Sequence, residues 1–356
     1  MDFHGFRKIE PLGELKTAPF VEKYAGNPVL SGKDIPYSAA LVFNCSVWKE
    51  DDTYTMVFRN DYFYSGELVE QHPDDTNFGI AHSDDGINWE VAPEPIFEYK
   101  TEDVGRVYDP RVIKIEGRYY LTCCASTTGT TEDRAPHGPR AAIFVTDDFK
   151  NFELVDMSLP CSRNSLLFPE KINGKYYRLE RPFWGDCIDS FSNETDHWIG
   201  QPFNTWVTSS PDLVHWGQAQ PLIMVDDMPY ANIKNGPGAP PIKTDKGWLL
   251  LIHGVDYDPA RGKNGWEDKW KHRYHAGVAL LDLEDPTKLI GLGQAPLICP
   301  DLPYETDGGF RNNVVFPMAG IVEDDGMVKI YYGAADAHIC LATAKLDDLL
   351  AACDPV

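Results

Sequence analysis

The chain has 356 residues, with 32 basic and 55 acidic side chains and a formal charge of −23. A surface of that sign repels polyanions, which excludes nucleic acid and anionic membranes as partners, and a hydrophobic content of 43% excludes a disordered chain. Seventeen Tyr, 17 Phe and 9 Trp beside 29 Gly and 27 Pro favour short strands joined by turns over long helices.

The opening segment MDFHGFRKIEPLGEL has no apolar signal core, and no apolar run approaches the roughly 18 residues that cross a membrane. A cytoplasmic protein is expected. Its eight cysteines show no metal or disulfide spacing and read as reduced core residues. In chain order, a short strand near Asn27-Pro28-Val29-Leu30 comes first. Five hairpins follow: SVWKEDDTYTMVFRND (46–61), RVIKIEGRYYLTCCA (111–125), FPEKINGKYYRLERP (168–182), PPIKTDKGWLLLIHG (240–254) and AGIVEDDGMVKIYYGA (319–334). Each joins two apolar arms through a polar turn, and the Glu-Gly, Asn-Gly, Lys-Gly and Asp-Gly pairs supply the positive φ that tight hairpins need.

A second motif recurs after the hairpins, an Asp followed four residues later by a large apolar residue. It gives Asp85 with Trp89, Asp148 with Phe152, Asp212 with Trp216 and Asp285 with Leu289, and a weakened copy carries Asp348. The gaps between these aspartates are 63, 64, 73 and 63 residues. The plain reading of the motif is structural, a turn that caps an outer strand and buries a ring. Hairpins repeated five times predict an all-β, five-bladed β-propeller that occupies residues 1–356 as one domain, with the first short strand closing the ring and the active site on the central axis.

In an antiparallel hairpin the start of the first arm and the end of the second lie together. Those positions hold Asn44 with Arg59 and Asp61, Tyr108 and Asp109, Arg163 with Arg181, Lys234 with His253, and Asn313 with Asp336. The opposite ends carry residues suited to solvated turns. A cationic cluster beside carboxylates calls for an anion, phosphate or carboxylate, together with a group capable of general acid work.

At these residues the chain resembles glycoside hydrolase family 130, the inverting β-mannoside phosphorylases and related mannosidases. The matching segments are VFRND (57–61), VYDPRV (107–112), RNSLLFPEKINGKYYRLERP (163–182), KNGPGAPPIKT (234–244), GWLLLIHGV (247–255) and IYYGAAD (330–336). The resemblance implies Asp109 as general acid, and Arg163, Arg181, Lys234, His253 and Tyr274 around phosphate. It implies Asn44, Ser46, Arg59, Asp61, Tyr108 and Asp336 around the mannosyl unit. Phosphate would attack C1 of a β-mannoside, with the phosphorylase features tilting toward a β-1,4 linkage, while Asp109 protonates the leaving oxygen through the mannose 3-hydroxyl. The products would be α-D-mannose 1-phosphate and a shortened acceptor. No cofactor or metal is implied beyond inorganic phosphate as co-substrate, and homo-oligomers are common among similar proteins. Stretches around 127–140, 184–204 and 257–272 look inserted relative to compact members. The alternatives are a hydrolytic β-mannosidase on the same fold and a non-catalytic carbohydrate-binding propeller; a metal site at His272 and His275 yields to a solvated-loop reading.

Overall fold

All five predicted hairpins form in the computed structural model, which describes residues 7–62, 75–127, 138–159, 161–182, 198–199, 203–258, 260–261 and 271–356. Leu41–Glu50 pairs with Thr53–Tyr62, Val104–Ile115 with Arg118–Thr127, and Ser162–Leu167 with Tyr176–Pro182. Lys234–Pro237 and Ile242–Lys243 share the partner Trp248–Tyr257, and Val315–Val322 pairs with Met327–Ala334. Both central turn residues of the second and third hairpins have positive φ: Glu116 and Gly117 at 51° and 87°, Asn173 and Gly174 at 52° and 76°. That is the mirror-image turn whose twist matches the flanking strands.

Further antiparallel strands extend each hairpin into a blade. The fifth blade is completed from the start of the chain: Glu22–Lys23 and Leu30–Ser31 both pair with His338–Lys345. The expected closing strand is therefore present, and a reciprocal closure adds Asp354–Pro355 to the outer edge of the fourth blade. The first strand of the fifth blade packs on the first strand of the first blade, which completes a five-bladed propeller.

Strands buried on both faces account for the ring. Successive side chains point to opposite faces, so Trp248, Leu250 and Ile252 pack with Leu166, Leu179 and Val207 of the third blade, whereas Leu249 and Leu251 pack with Val315, Ile330 and Tyr332 of the fifth. Tyr331, one residue on from Ile330, faces the first blade with Met56 and Phe58. Val57 and Phe78 meet Val112, Leu121 and Phe144, and Ile113 and Ile143 meet Leu167 and Tyr176. Each blade junction thus has its own apolar layer.

The recurrent aspartates are turn residues. Asp85 accepts the backbone N–H groups of Ile87 and Asn88 at 2.7 and 2.8 Å, and Asp148 and Asp212 repeat the arrangement with Lys150 and Asn151, and with Val214 and His215. Trp89, Phe152, Trp216 and Leu289 each pack against a blade junction. Asp348 departs from the pattern, lying in the helix Leu346–Ala351.

Other expectations are corrected. His272 and His275 lie buried in the strand His272–Leu281, not on a solvated loop, and His275 Nε2 is 2.9 Å from Asp256. Cys161 is disulfide-bonded, while Cys45, Cys123, Cys124, Cys299, Cys340 and Cys353 are free; pairing depends on which Cα atoms the fold brings together, which spacing alone does not report. Most of the three inserted stretches lies outside the described residues. Among the described residues no helix is long and apolar enough to cross a membrane.

Candidate functional site

The first strands of three successive blades carry the same irregularity at the same end. Register shifts fall between Phe43 and Cys45, Tyr108 and Arg111, and Arg163 and Leu166. The residues at these bulges, Asn44, Asp109 and Asn164, have φ of 48°, 58° and 57°. Left-handed backbone is uncommon outside glycine and best tolerated by Asn and Asp; such positions cost about 1–3 kcal/mol each and concentrate at functional sites. A bulge re-aims its side chain out of the pleat, and here all three residues line one cleft that draws residues from all five blades. On the fifth blade Asn313, Ala335 and Asp336 are also left-handed, at 62°, 51° and 49°.

One part of the cleft is built from carboxylates and arginines. Arg59 clamps Asp61 with two bonds, Nε to Oδ1 at 2.7 Å and Nη2 to Oδ2 at 2.6 Å, and gives Nη1 to Asp109 Oδ1 at 3.0 Å. Asn44 Nδ2 donates to the same Asp109 oxygen at 2.8 Å. Burial pushes the Asp109 carboxyl up, but Arg59, Arg111 and the Asn44 amide together hold it below its ordinary value. Asp336 goes the other way. Burial raises it, Arg311 and Arg59 oppose the rise, and the negative charge of Asp109 adds to it. The site therefore contains two buried carboxyls with opposite proton affinities. Tyr108 is pushed well above the usual tyrosine range by burial, and its ring lies 5.0 Å from the Arg59 guanidinium carbon.

The other part is cationic. Arg163 and Arg181 are direct cross-strand partners, and both line the cleft beside Asn164 and Tyr274. Arg181 Nη1 donates to His253 Nε2 at 2.9 Å. Burial first, then Arg181, Arg111 and Lys234, push His253 far below its ordinary value. It is thus a neutral imidazole that accepts from Arg181 and holds it in place, which corrects its expected place among the cations. The Tyr274 ring stacks on His253 with centroids 5.8 Å apart, and Lys234 Nζ lies 5.3 Å from the Tyr274 ring centroid. Preorganised cations of this kind bind and stabilise an anion in a shielded site.

The family model described as beta-1,4-mannooligosaccharide phosphorylase, of glycoside hydrolase family 130, matches residues 15–355. The chain belongs to glycoside hydrolase family 130. It is 32% identical over 341 residues to beta-1,4-mannooligosaccharide phosphorylase of Ruminococcus albus, covering 92% of this chain and 89% of that one. It is 30% identical to 1,2-beta-oligomannan phosphorylase of Thermoanaerobacter sp., covering 92% and 98%. Among solved structures it is similar to beta-1,2-mannobiose phosphorylase from Listeria innocua in complex with beta-1,2-mannobiose, with a TM-score of 0.73, 25% identity and coverage of 93% and 98%.

The residues matched to family 130 do not all meet the cleft. Asn44, Arg59, Tyr108, Asp109, Arg163, Arg181, Tyr274 and Asp336 line it. Asp61, Lys234 and His253 are buried and act on lining residues: Asp61 orients Arg59, and the other two sit against Tyr274. Ser46 departs from its expected contact with the sugar. It is fully buried, and its hydroxyl accepts the Val112 N–H at 2.8 Å, joining two blades. The reason is the bulge at Asn44, which aims Asn44 into the cleft and leaves Ser46 facing the second blade.

Sequence reasoning missed three polar groups. Asn164 holds the same bulge position as Asn44 and Asp109, a backbone feature that no residue spacing announces. Arg111 is buried, donates Nε to the Gly238 carbonyl at 2.7 Å and Nη1 to the Asp109 carbonyl at 3.2 Å, and thereby supports the Asp109 bulge from below. Burial lowers its pKa only to about 10, so it stays charged at neutral pH. Arg311 enters from the connection before the fifth blade, outside any hairpin, where no repeat pattern pointed to it. Among the described residues no group of three or more His, Cys, Asp or Glu side chains is placed to hold a metal ion.

Proposed function

We propose that this enzyme is an inverting β-mannoside phosphorylase with its active site on the propeller axis. It removes the non-reducing terminal mannosyl unit of a β-1,4-mannoside with inorganic phosphate and yields α-D-mannose 1-phosphate and a shortened acceptor. The observation that carries the reading is the pairing of Arg163 with Arg181 in a cleft that also holds Asp109 and Asp336. A hydrolase needs a second carboxylate to activate water; here Asp336 is engaged by Arg311, and the paired arginines instead suit phosphate as nucleophile. The family description and the activity named for the R. albus relative favour the β-1,4 linkage.

In the proposed step a phosphate oxygen forms a bond to C1 from the face opposite the leaving sugar, and the bond from C1 to the glycosidic oxygen breaks. The leaving oxygen takes a proton from Asp109 by way of the mannose 3-hydroxyl. Asp109 takes up a proton from solvent again as the next substrates bind. In the empty cleft Asp109 is held ionised, so substrates have to change its state. A bound phosphate adds negative charge opposite Arg111, and a covering sugar removes water; both favour the neutral acid. Arg163 and Arg181 offset charge on the phosphate as the transition state forms.

Cleavage of β-1,4- and β-1,2-mannobiose with and without phosphate tests the reading. Phosphate-dependent release of mannose 1-phosphate from the β-1,4 isomer is expected. Equal rates without phosphate identify a hydrolase, binding without turnover a non-catalytic propeller, and preference for the other isomer the β-1,2 linkage.

A further inference from the structure

We propose that Arg311 is a positioning residue for the sugar half of the cleft: it clamps Asp336 for contact with sugar hydroxyls, opposes protonation of that carboxyl, and so sets the acid limit of the reaction. The inference rests on reading the cleft as a β-mannoside site.

The geometry begins with how Arg311 is placed. Its Nη1 donates to Asp336 Oδ2 at 3.1 Å, and its backbone N–H donates to the Ala335 carbonyl at 3.0 Å. One residue therefore grips both members of the left-handed pair Ala335–Asp336. The guanidinium carbon lies 4.9 Å from the ring centroid of Phe310, and that ring packs with Leu41, Phe43 and Ala337. Gly309 meets Ala335 so closely that a Cβ there would collide with it. At the far end of the same connection the Asn313 carbonyl accepts the Tyr274 N–H at 2.9 Å, and the Asn313 N–H donates to the Glu305 carbonyl at 2.8 Å. The loop is pinned on both sides, so the guanidinium is preorganised for its carboxylate partner.

The charged groups around Asp336 explain why this clamp matters. From the strand Thr53–Tyr62 comes Arg59, whose hydrogen bonds go to Asp61 and Asp109. From the strand Val104–Ile115 comes Asp109, whose charge opposes ionisation of Asp336, and Arg106, which faces Arg59 and Arg311. Arg311 is the group that meets Asp336 with both a hydrogen bond and a full positive charge. Two buried carboxyls in one cleft tend to share a proton. With Arg59 committed to one and Arg311 to the other, the two are kept in separate roles. An ionised Asp336 accepts from hydroxyls on either oxygen, whereas a protonated one loses the charge that makes such bonds strong.

The test compares the full-length wild type with Arg311→Ala and Arg311→Lys. Initial rates of phosphate-dependent cleavage of β-1,4- and β-1,2-mannobiose are measured across the acid and neutral range. Loss of the cation raises the proton affinity of Asp336, so the acid limb of kcat/KM should move to higher pH by about one unit in Arg311→Ala, roughly a tenfold loss on that limb. The KM for mannobiose should rise there while the KM for phosphate is unchanged, and Arg311→Lys should restore most of the limb. An unmoved limb in both variants, or equal rises in both KM values, overturns the proposal. Titration of the Asp336 carboxyl carbon by NMR in wild type and Arg311→Ala reads the clamp without turnover. A wild type with no phosphate-dependent cleavage sinks the proposed function; an identical Asp336 titration in the two proteins sinks the role of Arg311. Should Arg311→Ala fail to fold, Arg311→Gln, which removes the charge and keeps much of the side chain, carries both measurements.

Discussion

Arg163 stands directly opposite Arg181 on paired strands, two like charges at one cross-strand position. Such a pair opposes folding of the sheet, by about 0.2–1 kcal/mol even at exposed positions. An anion between the guanidinium groups reverses the sign. Phosphate should therefore protect the protein against thermal unfolding, by about 2.7 kcal/mol at a concentration 100 times its Kd. Arg181→Ala should abolish most of that protection and raise the KM for phosphate at least about tenfold, with a smaller effect on the KM for mannoside. Thermal melts with and without phosphate, and kinetics at varied phosphate, measure both. Full protection retained in Arg181→Ala would mean that phosphate binds elsewhere.

Asp109 receives both Asn44 and Arg59 on one oxygen. An Asn at this position can still accept those bonds but has no acidic proton to give. Asp109→Asn should keep the fold and phosphate binding while kcat on mannobiose falls by about 10²–10⁴. An aryl mannoside whose leaving group departs without protonation should lose much less. Equal losses on the two substrates would remove Asp109 from the acid role.

How far the sequence anticipates the molecule depends on which physical signal each feature leaves. The blades are legible because strands buried on both faces need long apolar arms and their turns need residues that accept positive φ; Trp248–Ile252 and Glu116-Gly117 carry those signals in plain form. The aspartates at 85, 148 and 212 read correctly as turn residues because an Asx turn is local. The cleft is only partly legible. Asn44, Asp109, Arg163 and Asp336 fall at strand ends that hairpin geometry brings together. The bulges that aim Asn44, Asp109 and Asn164 are backbone events with no spacing signature, which is why Asn164 was passed over and Ser46 was expected in the cleft. Charge counting also misled. His253 is basic by residue type, yet burial among Arg181, Arg111 and Lys234 leaves it neutral.

Glu323 makes the ring acid-sensitive. It lies in the turn of the fifth blade and accepts Lys49 at 2.9 Å and Lys329 at 2.7 Å, together with the Tyr54 hydroxyl, so it ties the last blade to the first. Burial pushes its carboxyl up, but Lys329, Tyr54 and Lys49 outweigh burial and hold it down to about 2. A depressed folded value means that the stabilisation is complete above the unfolded value near 4.3 and is lost as pH falls through the folded one. Screening at this rim reduces its worth to about 1 kcal/mol. Glu323→Gln should lower stability by that amount at neutral pH and converge with wild type at strongly acidic pH. Denaturant melts across the acid range check the convergence; a constant difference would assign the effect to packing.

Glu305 secures the same ring by a different device. Its carboxylate is fully buried, accepts Lys23 Nζ at 2.7 Å and the Tyr332 hydroxyl at 2.9 Å, and takes the backbone N–H groups of Asp301 and Leu302 at 2.9 Å each. Lys23 belongs to the N-terminal strand that completes the fifth blade. Glu305→Ala would leave the buried Tyr332 hydroxyl and two part-buried N–H groups short of their acceptor, while Lys23 keeps Asp301 and the Cys299 carbonyl, a loss of about 1–3 kcal/mol for the hydroxyl alone. The Asn313 N–H, by contrast, is held by the backbone carbonyl of Glu305, which the substitution retains. The connection carrying Arg311 should therefore keep its place. The expected result is a drop in Tm with kcat and the acid limit unchanged well below that temperature. A shifted acid limit would instead make the closing strand part of the site.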